Sequence, residues 1–197
     1  MTTRPSERLD RRLAVRELLA GREELVVVTG LGSSSYDTMA AGDHDLNYYL
    51  WGAMGSAAPV GLGLAIAQPR RPVLVITGDG ELLMGLGSLA TIGVQRPPNL
   101  TIAVLDNERY AETGMQHSHT ASGVRLDQVA AACGFAWTAE IHEASAIPTV
   151  RDRLTGFAGP GLAVFKVAPD DLPRVLPPID AVHVKNRLRS ALGFAPR

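Results

Sequence analysis

The feature that most constrains the fold of this chain is a set of short apolar runs in which polar residues do not alternate. Four such runs, rich in β-branched side chains, lie at residues 25–28, 73–76, 100–105 and 162–167. Runs of this kind are typical of strands that are covered on both faces. Segments with helical spacing lie between them, at about 55–68, 81–93, 126–133 and 143–157. Strands that alternate with helices predict an α/β fold, an open and mostly parallel twisted sheet with helices on both faces.

The length of the chain favours one domain. At 197 residues it can bury a sizeable core without being divided, so we expect a single domain over residues 1–197. An amphipathic helix is predicted near residues 7–20, ahead of the first strand. A proline-rich connector at 169–178 is expected to lead to a last helix near 180–192, and this C-terminal part can clasp a neighbouring chain.

Charge and cysteine content exclude several classes of partner. The net charge is −1, which gives no electrostatic footprint for nucleic acid or for an anionic membrane surface. We find no apolar run of the roughly 18 residues that a membrane-spanning helix needs. The single cysteine, Cys133, is expected to pack in a helix and fits a reducing compartment. Because residues 1–13 also lack the apolar core of a signal peptide, a cytoplasmic protein is expected.

Polar residues follow two of the predicted strands at the points where the strands end. Gly78-Asp79-Gly80 follows one strand and Asp106-Asn107 follows the next. Ligands of an open α/β sheet bind outside the carboxyl ends of its strands, so Asp79 and Asn107 are expected to face one crevice. One carboxylate and one carboxamide suit Mg²⁺ that is also held by substrate phosphates. The glycines permit a tight turn, and a helix that begins near Glu81 would direct its positive end at the anion. The alternative is an ordinary glycine turn beside an Asn-initiated turn.

The Gly-Asp-Gly triplet, followed by 26 residues and then Asn107, resembles the binding motif of enzymes that depend on thiamine diphosphate. The resemblance implies that Asp79, Asn107 and the backbone carbonyl of Arg109 hold Mg²⁺ on the diphosphate group. It also implies that further residues bind the cofactor nearby, namely Gly78, Gly80, Glu81, Leu82 and Tyr110. The family usually has Asn-Asn where this chain has Asp106-Asn107.

A second stretch, residues 48–67, is similar to the segment that places a bulky apolar residue beneath the bent cofactor. Met54 matches that residue, and the resemblance implies that the carbonyl of Gly52 accepts a hydrogen bond from the 4′-amino group of the pyrimidine. The alternative is that Met54 only fills space in the core.

Within this superfamily, the chain resembles the β subunits of phosphonopyruvate and sulfopyruvate decarboxylases over roughly residues 5–168. The resemblance is carried by VVTGLGSSSYD at 27–37 and ETGMQ at 112–116. It implies a lyase that decarboxylates a 2-oxo acid. Leu31-Gly32 stands where that family would carry a Lys after Thr-Gly, which removes a candidate cation for a phosphonate or sulfonate. The alternatives are carboligation of the acetolactate type, because Gly-Ala-Met-Gly is also close to that family's segment, and a non-catalytic nucleotide-binding or regulatory module.

The resemblance also implies a partner. Thiamine diphosphate needs a Glu hydrogen-bonded to N1′ of its pyrimidine, and that Glu comes from a separate pyrimidine-binding domain. Since 197 residues leave room only for the diphosphate-binding domain, we expect a separate α subunit and an α₂β₂ or larger assembly. None of Glu81, Glu108 and Glu112 is assigned to the N1′ position.

Smaller signals complete the candidate site. His117 and His119 lie in a loop at 108–120 that is expected to close over the substrate, where either could act as an acid or base. His44 with Asp45 is a second candidate on the substrate side. Ser33 to Ser35 are expected either to donate to the diphosphate or the substrate, or to cap a helix. In the tail, cationic residues are expected to form a solvated face or a subunit contact, namely Lys185, Arg187 and Arg189.

Overall fold

The computed structural model describes residues 8–195 and confirms the α/β fold. Six parallel strands form one sheet in the order β2-β1-β3-β4-β8-β7, and the two-stranded hairpin β5-β6 stands apart. The strands of the sheet are β1 (Val26–Thr29), β2 (Asn47–Tyr49), β3 (Val73–Gly78), β4 (Leu100–Asp106), β7 (Trp137–Ile141) and β8 (Gly161–Lys166). The hairpin comprises β5 (Arg109–Tyr110) and β6 (Gln116–His117). The helices are α1 (Arg11–Leu18), α2 (Ser33–Ala40), α3 (Ala57–Ala67), α4 (Asp79–Met84), α5 (Ser88–Gln95), α6 (Leu126–Ala132), α7 (Ile147–Thr155) and α8 (Ala181–Ala191).

The four strands expected from apolar runs form the centre of the sheet. The register pairs Val75 with Ile102 and Gly78 with Leu105, so β3 and β4 end side by side. The sequence analysis did not predict β2 and β7. Both are edge strands, and β7 is only half-buried along most of its length, so neither carries the continuous apolar run of a central strand.

Apolar side chains cover both faces of the sheet. Val75, Ile102 and Val104 belong to one core, which includes residues of α3, α5, α6 and α8. Ile76 and Leu105 belong to a second core on the other face, which includes residues of α1 and α7. Full burial of one such side chain contributes roughly 1.5–3 kcal/mol, so these strands fix the positions of the loops at their ends.

The helix predicted over 81–93 is divided in two at Gly85, where the chain passes close to Gly55. A Cβ atom on Gly85 would lie 2.2 Å from the carbonyl oxygen of Gly55, so only a glycine permits this approach. Gly55 belongs to a turn with Met54. Helix α3 begins after this turn, at Ala57, whereas the sequence predicted a start at about 55. The two glycines therefore hold the Met54 segment against the end of α4.

The predicted N-terminal helix is confirmed as α1, although position 7 lies outside the described residues. Asp10 caps it by accepting from the backbone N–H of Leu13 at 2.8 Å. The cysteine lies at the C-cap of α6, half-buried against the core rather than fully buried. Within residues 8–195, no helix combines the length and the apolar character needed to cross a bilayer.

The C-terminal connector carries no regular secondary structure before α8, whose N-cap Asp180 accepts from two backbone N–H groups. The expectation of a solvated face is wrong for Arg187. Its guanidinium is mostly buried and pairs with Asp43 at 2.6 Å within the same chain. Arg189 donates to the carbonyl of Ala195 and lies over the ring of Phe194. Helix α8 is thereby anchored beside edge strand β2.

Candidate functional site

A cavity of about 340 Å³ lies at the carboxyl ends of β3 and β4. The structure brings most of the predicted cofactor-binding residues to this one cavity. Those that line it are Met54, Gly78, Asp79, Gly80, Glu81, Asn107, Arg109 and Tyr110. Two predicted residues do not line it. Leu82 is buried in the core, and Gly52 is exposed beside Trp51.

Asp79 is the first residue of α4 and is 1% exposed. Its Oδ2 accepts hydrogen bonds from the hydroxyl of Ser118 and, at 3.1 Å, from that of Thr120. Burial, together with repulsion by Asp106, raises the pKa of Asp79 to about 6. A carboxylate so placed is favoured in its charged form when a cation lies beside it.

Asp106, at the non-ligand position of the motif, is buried and bonded to two side chains. It accepts from Thr120 at 2.8 Å and from the ammonium group of Lys166, on neighbouring strand β8, at 2.7 Å. Lys166 also bonds Glu108, which in turn pairs with Arg8. The departure from Asn-Asn thus introduces a carboxylate whose charge is balanced by an ion-pair network.

Asn107 follows directly after β4, and its Oδ1 accepts from the backbone N–H of Arg109 at 2.9 Å. Between them, Glu108 has a positive φ of 61°, which turns the chain back toward the cavity. No group of three or more His, Cys, Asp or Glu side chains is placed to hold a metal within residues 8–195. The oxygen donors at the ends of β3 and β4 include the Asp79 carboxylate, the Asn107 carboxamide and backbone carbonyls. This donor set fits a hard cation such as Mg²⁺ that also takes phosphate oxygens.

The glycine loop leaves room for an anion at the start of α4. A Cβ atom on Gly78 would meet nothing within 4 Å, whereas one on Gly80 would lie 2.4 Å from the ring of Tyr110. The N-cap of this helix is Gly78, which has no side chain that could accept from its first backbone N–H groups. Open space beside uncapped N–H groups fits a diphosphate group.

Glu81 supports the Met54 segment from below. Its Oε1 accepts from the backbone N–H of Gly55 at 3.0 Å and from that of Ala57 at 3.1 Å. Burial raises the pKa of Glu81, while these hydrogen bonds oppose that effect. The predicted contact of Glu81 with the cofactor is thus accompanied by a positioning role that the sequence analysis did not foresee.

The loop that carries the two candidate histidines directs other side chains inward. His117 and His119 are exposed and do not line the cavity, whereas Ser118 and Thr120 are buried against Asp79. The sequence analysis missed both hydroxyl groups. No strand-like alternation could have found them, because Thr120 lies in a short 3₁₀ helix, His119–Ser122, rather than in an extended segment.

Of the other residues that the sequence analysis singled out, some line the cavity and others do not. His44 lies away from the cavity and accepts from the backbone N–H of Leu46, and Asp45 is exposed. Ser33 and Ser34 line the cavity. The interpretation of these serines as a helix cap is wrong, because Gly32 occupies the N-cap of α2 without a side-chain hydrogen bond and Ser35 donates to the carbonyl of Gly30 instead.

Comparison with known proteins agrees with this geometry. Residues 30–162 match the family described as thiamine pyrophosphate enzyme, C-terminal TPP binding domain. The chain is 39% identical to a phosphonopyruvate decarboxylase of Streptomyces viridochromogenes over 198 aligned positions, covering 98% of this chain and 49% of that protein. It is 40% identical to sulfopyruvate decarboxylase subunit beta of Methanocaldococcus jannaschii over 112 positions, covering 57% of this chain and 59% of that protein.

Among solved structures, the benzoylformate decarboxylase of Polynucleobacter necessarius superposes with a TM-score of 0.71 over 88% of this chain and 36% of that one. At 18% identity this likeness shows the fold alone. The chain spans about half the length of the Streptomyces relative. Because the family match covers well over half of the chain, this protein belongs to the thiamine pyrophosphate enzymes, in the family of their C-terminal TPP-binding domain.

Proposed function

We propose that this chain is the diphosphate-binding subunit of a 2-oxo acid decarboxylase that depends on thiamine diphosphate and Mg²⁺ and is similar to phosphonopyruvate and sulfopyruvate decarboxylases. The observation that carries the proposal is that Asp79 and Asn107, from the ends of neighbouring strands, line one cavity with Met54 and the glycine loop. The names of the relatives that are 39% and 40% identical support the decarboxylase activity.

When bound, thiamine diphosphate supplies a nucleophilic carbon and an electron sink for decarboxylation. The residues of this chain bind and orient it. Asp79, Asn107 and the backbone carbonyl of Arg109 hold the cation, and the N–H groups at the start of α4 face the diphosphate. Met54 packs against the cofactor from a turn that Glu81 holds in place. Leu31 and Leu105 lend the cavity an apolar wall, which favours the exclusion of water.

The substrate is a small 2-oxo acid. The loop at 108–120 is anchored on Asp79 through Ser118 and Thr120, and it is the segment we expect to close over the substrate. His117 and His119 lie on its exposed side, so a role for either in proton transfer requires the loop to move. They stay candidates for this role.

The proposal includes a partner that carries the activating Glu, in an α₂β₂ or larger assembly. The printed name of the Methanocaldococcus relative, a subunit beta, supports a second polypeptide. The cavity is open to such a partner beside Met84, a lining residue that is 60% exposed in this chain. We place the complex in the cytoplasm, on the ground that a single half-buried cysteine suits a reducing compartment.

Binding of thiamine diphosphate tests the cofactor assignment. The chain, with any partner that copurifies from its own host, is titrated with the cofactor in Mg²⁺ and in EDTA. We expect Mg²⁺-dependent binding that Asp79→Ala abolishes and that the exposed-site control Asp152→Ala leaves unchanged. Equal binding by the Asp79→Ala protein would rule out the metal assignment.

The activity is tested on the purified complex with pyruvate, phosphonopyruvate and sulfopyruvate. We expect release of CO₂ and an aldehyde from at least one of them. A new carbon–carbon bond when a second carbonyl compound is supplied would favour acetolactate-type carboligation instead. Absence of cofactor binding would favour a nucleotide-binding or regulatory module.

A further inference from the structure

A buried arginine outside the matched family region reaches the same cavity. Arg11 is the first residue of α1, is 6% exposed and lines the cavity with Asp79 and Asn107. Leu9, just before α1, pairs with Val167, just beyond the end of β8. Helix α1 then runs back along the sheet to the end at which β1 begins. The start of α1 therefore lies at the carboxyl ends of the strands, although its sequence gives no sign of a ligand.

The position of Arg11 is fixed by a fully buried carboxylate. Its Nε donates to Oδ2 of Asp37, on α2, and its Nη1 donates to the carbonyl of Asp170 at 3.4 Å. Arg12 donates to the other oxygen of Asp37 at 3.2 Å. Two guanidinium groups thus share one carboxylate, which leaves one positive charge on the cluster. The hydrogen bonds that Arg11 donates to residues 8–195 come from Nε and Nη1.

A diphosphate group at this site would require positive charge from the protein in addition to that of Mg²⁺. A fully ionised diphosphate ester carries three negative charges, and Mg²⁺ on Asp79 contributes only one net positive charge. The described residues place two cationic side chains on the cavity, Arg11 and Arg109. The guanidinium of Arg11 is preorganised by Asp37, whereas that of Arg109 forms no ion pair with residues 8–195. A buried, preorganised guanidinium presents its donors in a geometry that suits phosphate oxygens.

We propose that Arg11 is a cationic anchor for the phosphate oxygens of the diphosphate group and that Asp37 is its positioning residue. This inference rests on the proposed function, since it assigns one more contact to the same ligand. Arg12 has no such contact, because it bonds the same carboxylate but does not line the cavity.

The test uses calorimetry with two probes, inorganic pyrophosphate and thiamine diphosphate, each with Mg²⁺, on the full chain with any copurified partner. We expect Arg11→Gln to weaken both by at least about tenfold, as loss of a charge-assisted hydrogen bond predicts. Arg11→Lys keeps the positive charge but lacks the planar guanidinium, so its affinity for both probes should lie between those of the Arg11→Gln protein and the wild type. The matched control is Arg16→Gln, which replaces an exposed arginine of the same helix that pairs with Glu17, and its affinity should stay within about twofold of the wild type.

The outcomes separate the two proposals. Unchanged affinity of the Arg11→Gln protein for both probes would overturn the role of Arg11 and leave the cofactor assignment intact. Failure of the wild type to bind either probe would overturn both. If Arg11→Gln does not fold, the double variant Arg11→Met/Asp37→Asn removes both charges of the buried pair, and the same loss of affinity is expected.

Discussion

The Glu81 carboxylate accepts a hydrogen bond from the backbone N–H of Gly55 at 3.0 Å, so a residue of α4 holds the turn that carries Met54. Residues of both segments line the cavity, and along the chain the two segments are separated by the whole of α3 and β3. The geometry of the candidate cofactor site therefore depends on one buried acid.

Replacement of that acid should affect both stability and binding. Glu81→Ala leaves the part-buried N–H group of Gly55 and the buried N–H group of Ala57 without an acceptor, and we expect a loss of about 2–3 kcal/mol in the free energy of unfolding. Urea denaturation measures it. The exposed Glu23→Ala control should change stability by no more than about 0.5 kcal/mol. A Glu81→Ala protein as stable as this control would contradict the assigned support of the turn.

The close approach of Gly85 to Gly55 gives a second prediction. A Cβ on Gly85 would lie 2.2 Å from the carbonyl oxygen of Gly55, whereas one on Gly87 would meet nothing within 4 Å. Gly85→Ala should cost about 1–3 kcal/mol of stability and weaken thiamine diphosphate binding, because the Met54 turn must move. Gly87→Ala should do neither. Thermal unfolding and cofactor titration of both variants check the contrast, and equal behaviour would refute it.

The hydroxyl of Thr120 links the loop to the two buried acids at the ends of β3 and β4. It bonds Asp106 at 2.8 Å and Asp79 at 3.1 Å. Thr120→Val keeps the shape but removes these bonds, so amide hydrogen exchange over 108–123 should accelerate by roughly tenfold for a loss of about 1.4 kcal/mol. The control is Thr155→Val, whose exposed hydroxyl bonds only within α7. Unaltered exchange in the Thr120→Val loop would show that the anchor lies elsewhere.

The pKa of Asp79 predicts a pH dependence of the metal-free protein. Burial raises this pKa to about 6 in the folded chain, against about 3.9 in an unfolded one. The folded state therefore holds the proton more tightly, and this group's contribution is fully present below about pH 4 and is lost as the pH rises through about 6. We expect a decline on the order of 1–3 kcal/mol over that window.

The measurement is urea denaturation in EDTA between about pH 4 and pH 7. The free energy of unfolding of the Asp79→Asn protein should lack this decline with pH, because an asparagine side chain does not titrate in that range. Parallel profiles for the two proteins would mean that Asp79 is not the group responsible.

Local sequence patterns predicted the central strands, since continuous apolar runs at 73–76 and 100–105 can be buried in a parallel sheet without help from distant residues. They did not predict β2 or β7. An edge strand has one neighbour and a mixed surface, so pairing partners decide its structure more than its own residues do. The break between α4 and α5 also escaped the pattern, because it depends on contact with Gly55.

For the candidate site, the sequence by itself determined that Asp79 and Asn107 would meet, because both follow buried strands and parallel strands end at one edge of a sheet. Only the tertiary structure decided which other side chains reach that edge. Ser118 and Thr120 rather than the adjacent histidines face Asp79, and Arg11 arrives from a helix at the far end of the chain. The physical reason is that hydrogen bonds to a buried carboxylate and the pairing of a buried guanidinium depend on contacts between segments distant in sequence, which no local periodicity encodes.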